Sequence, residues 1–226
     1  MKAAVLFTGG KDSTYALHLS FLQGYDVVAL ASIIPRYEDS ALYHKPFLEV
    51  LKLQAESIGL PLEIEEATTG EEGGEIRALY RLLARVRDRY GVKVVVSGAV
   101  LSDYQRLRFT MVAENLGLIS YTPIWRIPQD KYLLEIVDAG LEFMLVSISA
   151  YGLPPTFLGK IINKDDALEI IRLAKKYGFN PAFEGGEAET LVIYAPLFRR
   201  RVVIEGYADK RGTHNYVYVV KNAYLD

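Results

Sequence analysis

An α/β fold built on a parallel sheet, followed by a smaller α+β region, is what this sequence predicts, and three observations carry it. Short apolar runs alternate with amphipathic stretches through the first half of the chain. That is the pattern of strand–helix–strand units, whose right-handed crossovers make the strands parallel. One strand runs straight into a Gly-Gly turn and then a helix, in "AAVLFTGGKDSTYAL" from Ala3 to Leu17. Past "YTPIW" (Tyr121 to Trp125) the alternation gives way to a tail with two strand-like runs around "DKRGTHN", which read as an antiparallel hairpin. The boundary falls near Thr122, giving regions 1–122 and 123–226.

In chain order, the candidate strands of the first region are 2–8, 26–34, 62–65 and 94–97. The first helix shows an apolar side of Ala16, Leu19 and Leu22, with Leu17 and Phe21. Leu48, Leu51, Ala55 and Ile58 mark a second helix face, and Ile76, Leu79, Tyr80 and Leu83 a third. A fourth helix over 102–116 carries Tyr104, Leu107 and Met111 at i, i+3 and i+7. Beyond the boundary come a helix near 129–139, the strand "EFMLVSIS", a turn at Pro154 and Pro155, and a helix striped by Ala167, Ile170, Ile171 and Ala174. The runs "RVVIEGYA" and "YVYVVKNAYL" form the hairpin. Ligands of parallel sheets bind at the carboxyl ends of the strands. "TGGKDS" closes one such end and "SGA" (Ser97, Gly98, Ala99) another. They should be neighbours.

Composition narrows the function. With 226 residues, 50% hydrophobic and 24% charged, the chain can bury a sizeable core. A net charge of −2 gives no general pull toward nucleic acid or an anionic membrane. Arg199, Arg200 and Arg201 form a basic run that a solvated strand end explains as well. The absence of cysteine excludes disulfides, thiolate catalysis and thiolate metal sites. No signal peptide and no apolar run long enough for a bilayer are visible, so a cytoplasmic protein is expected. Scarce Asn, Gln and Met suit a thermophile.

A strand that turns on glycines into a helix presents backbone N–H groups and the positive end of a dipole, a place for an anion. Two familiar phosphate loops fail here. A Walker loop needs a glycine where Val5 stands and Ser or Thr where Asp12 stands; a dinucleotide loop needs a third glycine that "GGKDST" lacks. The plain alternative is a Gly-Gly turn whose Lys-Asp-Ser caps the helix.

"TGGKDS" resembles the PP-loop, S-G-G-x-D-S in its usual form, of the ATP pyrophosphatases, with Thr8 in place of the commoner serine. The resemblance implies a Rossmann-like (HUP, adenine nucleotide alpha hydrolase-like) sheet and cleavage of ATP between its α and β phosphates. Thr8, Gly9, Gly10, Lys11, Asp12 and Ser13 would then bind the phosphates. Lys11 would offer a point charge, and Asp12 would hold the loop or a Mg2+ ion; the other metal ligands are unknown.

Further segments narrow the likeness. "EDSALYH" (Glu38 to His44), "LQAESIGLPL", "TTGEEGGEI", "GAVLSDYQRLR" (Gly98 to Arg108) and "EGGEAETLV" (Glu184 to Val192) resemble, in order and spacing, the diphthine–ammonia ligase (diphthamide synthase) family. That resemblance covers most of the chain. It implies that ATP adenylates the carboxylate of diphthine, a modified histidine of elongation factor 2, and that ammonium displaces AMP. A second region folding over the cleft would keep water off the adenylate.

The candidate residues follow. Gly98 and Ala99 would let the α-phosphate or ribose approach, or they make an ordinary strand-to-helix turn. Arg106 or Arg108 would hold a phosphate or carboxylate, and Tyr104 is either part of that site or a core tyrosine. His44 would handle ammonium or sits on the surface. Glu187 and Glu189 would recruit or deprotonate ammonium, or meet the trimethylammonium of diphthine; an extended Glu184–Glu189 would turn both to one face. The other reading is a polar loop. Ala188 stands where the family often has an aromatic residue. His18 and His214 read as structural and solvated respectively. Expected partners are ATP, ammonium and diphthine-bearing elongation factor 2, without membrane or nucleic acid; a homo-oligomer stays open. Two other functions also stay open: a PP-loop ligase acting on tRNA, and a nucleotide-binding module without turnover.

Overall fold

The computed structural model describes residues 1–35, 47–68 and 72–226. Two compact units emerge. The first comprises Met1–Thr8 and Asp12–Trp125, the second Gly9–Lys11 and Arg126–Asp226. Among the described residues no helix is long and apolar enough to cross a membrane.

The first unit is the expected α/β fold. Its elements are β1 (Lys2–Leu6), α1 (Lys11–Leu22), β2 (Asp26–Pro35), α2 (Leu48–Ile58), β3 (Leu62–Ala67), α3 (Glu72–Tyr90), β4 (Val94–Val96), α4 (Asp103–Asn115) and β5 (Ile119–Tyr121). The five strands run parallel in the order β3-β2-β1-β4-β5. The chain moves outward from β1 to β3, then restarts on the other side at β4. The order therefore reverses between β1 and β4, the crevice where such sheets place a ligand. Both glycine turns leave from there.

The core explains the helix faces. Ala4, Ala29 and Val95 of the sheet pack with Leu79, Leu82 and Leu83 of α3 and with Phe109, Val112 and Ala113 of α4. Each fully buried leucine adds about 2 kcal/mol of transfer free energy. A charged face ties α3 down as well. Arg81, Arg85 and Arg89 recur every fourth residue, and Glu63 and Glu65 alternate on β3, so the two rows meet. Arg81 and Arg85 each lie 2.7 Å from Glu65, and Arg89 and the Tyr90 hydroxyl reach Glu63 at 2.8 and 2.7 Å.

Three expected faces are corrected. On α1, Ala16 and Leu17 are buried as expected, but Leu22 is 83% exposed and Phe21 is exposed, whereas Thr14, His18 and Ser20 are buried. Ser20 Oγ donates to the Ala16 carbonyl at 2.7 Å, so a serine can be buried satisfied. On α4, Leu107 and Met111 of the expected stripe are 47% and 60% exposed; the core takes Phe109, Val112 and Ala113 instead. Tyr80 of α3 is likewise exposed. Apolar residues occur on both sides of these helices, so spacing alone cannot choose the inner one.

The second unit contains α5 (Gln129–Asp138), β6 (Glu142–Ile148), a 3-10 turn at Pro155–Phe157, α6 (Lys164–Tyr177), β7 (Ala188–Tyr194), β8 (Val202–Lys210) and β9 (Tyr216–Leu225). Its sheet has the order β7-β6-β9-β8 and is antiparallel throughout. The expected hairpin is β8–β9. Asn163 opens α6 with a reciprocal cap to Asp166, and Ala167, Ile170, Ile171 and Ala174 are buried as their spacing predicts.

Candidate active site

The turn after β1 is closed by its own hydroxyls. Gly9 takes φ +77°, a left-handed conformation that costs glycine little. The Thr8 N–H donates to Ser13 Oγ at 3.1 Å, and the two hydroxyl oxygens also lie 3.1 Å apart. Thr8 is exposed and Ser13 buried. After β4, Gly98 lies against the start of α1: a Cβ there would stand 2.8 Å from the Asp12 carbonyl carbon and from the Ser13 nitrogen. The two glycine turns are neighbours, as the strand order requires. Ala99 is buried beside them.

Gly9, Gly10 and Lys11 group with the second unit. The Val192 N–H donates to the Gly9 carbonyl at 2.9 Å, and the Lys11 N–H donates to Thr190 Oγ1 at 3.2 Å. Both partners lie on β7. The Lys11 side chain is 2% exposed, its Nζ 5.9 Å from the Tyr132 ring centre and 5.7 Å from that of Phe183. Those distances are within cation–π range.

The acidic loop before β7 is organised by one of its own carboxylates. Glu187 accepts the Asn180 N–H at 2.8 Å on Oε1 and the Gly185 N–H at 2.7 Å on Oε2. Phe183 donates its N–H to the Asn180 carbonyl at 3.0 Å and accepts the Gly186 N–H at 3.2 Å. Ser149 Oγ donates to the Gly186 carbonyl at 2.6 Å. Held this way, Phe183 has φ +68°, a conformation costly for a bulky side chain. Because β7 starts at Ala188, Glu187 precedes the strand and does not share a face with Glu189 through strand alternation. The Glu189 N–H donates to Ser147 Oγ at 3.1 Å.

The remaining candidates stand on or near α4. Ser102 caps the helix, accepting the Gln105 N–H at 3.2 Å. The Arg106 guanidinium lies 4.6 Å from the Trp125 ring centre and donates to Asp103 at 3.2 Å. Arg108 stacks on Tyr104 at 3.4 Å, and Tyr104 itself packs against the core. His44, with the whole "EDSALYH" segment, lies outside the described residues, as does part of "TTGEEGGEI". His18 is buried, and burial pushes its pKa below the ordinary 6.5 although a bond to the Thr14 carbonyl pulls upward. Its Nδ1 donates to that carbonyl, which can only accept, at 2.7 Å. His214 is exposed in the β8–β9 turn.

Chemically, the switch point offers an α-helix N-terminus, two hydroxyls and a glycine backbone at van der Waals range, a donor set that fits a chain of phosphates. Among the described residues no group of three or more His, Asp or Glu gathers to hold a metal. A magnesium ion carried by phosphates needs only one or two protein carboxylates.

Family models account for nearly the whole chain. The diphthamide synthase N-terminal domain matches residues 1–120, and the diphthamide synthase C-terminal domain matches 128–225. The chain belongs to the diphthamide synthase family. Relatives agree. A human diphthine–ammonia ligase is 33% identical over 223 residues, covering 91% of this chain and 83% of that protein. A zebrafish (Danio rerio) diphthine–ammonia ligase is 34% identical, covering 91% and 87%. One from Schizosaccharomyces pombe is 37% identical over 90% of this chain and 36% of its own length. A solved structure described as a predicted subunit of tRNA methyltransferase from Methanocaldococcus jannaschii aligns at TM-score 0.38 with 15% identity, over 86% of this chain and 99% of that one. That likeness is too distant to argue from.

In this diphthamide synthase chain, sequence reasoning missed Thr190, Tyr132 and Phe183. Thr190 sits inside the quoted "EGGEAETLV", so its hydroxyl was in view without a partner. Lys11 and Thr190 are 179 residues apart, and no local pattern links them.

Proposed function

We propose that this diphthamide synthase family chain joins ammonium to the carboxylate of diphthine on elongation factor 2, using ATP and releasing AMP and pyrophosphate. One observation supports the reading most: "TGGKDS" lies at the sheet's switch point, hydroxyl-closed, with Gly98 against its helix. A carboxylate oxygen of diphthine attacks the α-phosphorus, the α–β bridging bond breaks, and pyrophosphate leaves. Ammonia, having given up one proton from ammonium, attacks the acyl carbon; AMP departs with the former carboxylate oxygen, and a second proton is lost as the amide forms. Backbone amides and the Thr8 and Ser13 hydroxyls stabilise the departing pyrophosphate where its charge develops. Mg2+ bound by the phosphates and Asp12 would share that load.

The two acids divide the remaining work. Both oxygens of Glu187 already accept backbone N–H groups, so its role is to shape the loop. Glu189, on β7 beside Thr190, is the carboxylate we assign to ammonium. Arg106 and Arg108, flattened on aromatic rings, present guanidinium edges suited to a carboxylate or phosphate. A protein acting on a translation factor belongs in the cytoplasm.

The test incubates the chain with ATP, ammonium and diphthine-bearing elongation factor 2. The expected products are AMP, pyrophosphate and an amidated histidine found by mass spectrometry. ADP in place of AMP, or AMP formation that requires tRNA, would defeat the proposal.

A further inference from the structure

We propose that Glu187 and Phe183 are positioning residues for the glycine loop, and that the Lys11 ammonium is an anchor seated between aromatic rings rather than a phosphate ligand. The inference rests on the reading of that loop as the ATP site.

The contacts form a continuous series. Glu187 takes the N–H groups of Asn180 and Gly185, which fixes the turn. Bonds from Phe183 to Asn180 and from Gly186 to Phe183 hold Phe183 at φ +68°. A bulky residue there carries on the order of 1–3 kcal/mol of strain, which persists only where its surroundings over-determine it. The held conformation brings the Phe183 ring to 5.7 Å from Lys11 Nζ, with the buried Tyr132 ring at 5.9 Å. A lysine 2% exposed and flanked by two rings has its charge directed into the protein.

The loop backbone is pinned as well. β7 is an edge strand of its sheet. The Thr190 hydroxyl accepts the Lys11 N–H, and the Val192 N–H donates to the Gly9 carbonyl. Gly9–Lys11 is therefore bonded to β7 at two points. The side chain of Lys11 and the backbone of the loop are fixed by the same structure. The acidic motif thus acts on ATP, through geometry, before ammonia is involved.

This separates two roles for Glu187. In Glu187→Gln one acceptor oxygen becomes an NH2 group facing a backbone N–H, so the turn loosens with little change of shape. We expect the KM for ATP to rise about tenfold, equivalent to ~1.4 kcal/mol. ATP–pyrophosphate exchange, run with diphthine-bearing factor and no ammonium, should fall in step with amide formation, and the KM for ammonium should not move. Phe183→Leu should behave alike, and Phe183→Tyr, which keeps the ring, should restore wild-type values. Binding of an ATP analogue with a methylene between its α and β phosphorus atoms, measured by calorimetry, gives a readout independent of turnover. There Lys11→Met, which removes the charge and keeps an unbranched side chain between the rings, should weaken binding less than Phe183→Leu, expected to be about tenfold weaker, again ~1.4 kcal/mol.

The proposal is overturned if Glu187→Gln loses amide formation while exchange and the KM for ATP stay at wild-type values. It is equally overturned if Phe183→Leu binds the analogue normally while Lys11→Met does not. If the wild-type chain makes no pyrophosphate with the factor, the substrate reading fails, and the analogue-binding comparison still decides the positioning roles.

Discussion

Two Gly-Gly loops, "TGGKDS" after β1 and "FEGGEAET" before β7, look alike in sequence and are built on opposite logic. The first turns at Gly9 into a helix and closes on the Thr8 and Ser13 hydroxyls. The second turns at Phe183 and Gly186 and fills its own centre with the Glu187 carboxylate. The first loop leaves a helix N-terminus where the sheet order reverses; the second holds a carboxylate of its own chain among its N–H groups. The lesson is that a pair of glycines marks a backbone able to converge its N–H groups, and the nearby acid decides whether they serve a ligand or the fold.

If that contrast is right, damage to the two loops should differ in kind. The largest effect is expected from Asp12→Ala, which should abolish pyrophosphate release while leaving the thermal midpoint near wild type. Equal loss of midpoint and activity would erase the distinction. Next comes Gly98→Ala. Its new methyl would press on the backbone of Asp12 and Ser13, so the loop must move. A displacement of about 1 Å at a reacting centre costs on the order of 10²-fold in rate, and overpacking costs about 1–3 kcal/mol of stability. Pyrophosphate release and urea unfolding would read the two. Wild-type values in both would show that the turns do not touch.

The second loop should fail the other way. Glu187→Ala strips the acceptors from two backbone N–H groups, each costing about 1–3 kcal/mol if buried and unmet, with partial exposure reducing that. We expect a lowered urea midpoint together with a raised KM for ATP. An unchanged midpoint with lost amide formation would return Glu187 to direct chemistry on ammonia.

The sequence made the first loop legible because its signal is local: strand, glycines, hydroxyls and helix lie within about fifteen residues. The parallel sheet was legible for the same reason, since short apolar runs and helical spacing alternate in order. What stayed hidden was set by distant partners. β5 is three residues, exposed or half-buried, too short to carry a pattern. The inner faces of α1 and α4 were legible only in part, with Ala16 and Leu17 buried as read, because Leu22, Leu107 and Met111 are exposed while Thr14, His18 and Ser20 are buried. Glu63 and Glu65 with Arg81, Arg85 and Arg89 were readable as matching spacings only after β3 and α3 are known to pack. A phenylalanine at positive φ leaves no trace in sequence, because the propensity argument runs against it.

The smallest effect concerns the helix that carries the first loop. The second loop has a carboxylate bonded inside it, whereas α1 buries an imidazole whose charged form burial disfavours. His18 is buried one turn beyond Thr14, and burial holds its pKa below the ordinary 6.5. The unfolded chain takes up a proton near 6.5, and the native chain resists until a lower pH. Between those values the unfolded state binds more protons, so stability rises with pH. The contribution is whole above 6.5 and is lost as pH falls toward the native value. Glu63, Glu65 and Glu142 act lower still. Burial alone would raise Glu63 and Glu65, but Tyr90 and the facing arginines hold them below 4.5, and Arg201 does the same for Glu142. Their share is present above that value and lost beneath it. Unfolding free energy should therefore decline in two stages on acidification. His18→Gln should remove the first stage and leave the second. A wild-type profile that is flat between pH 7 and 5, or a first stage that survives His18→Gln, would show that α1 does not depend on a neutral imidazole.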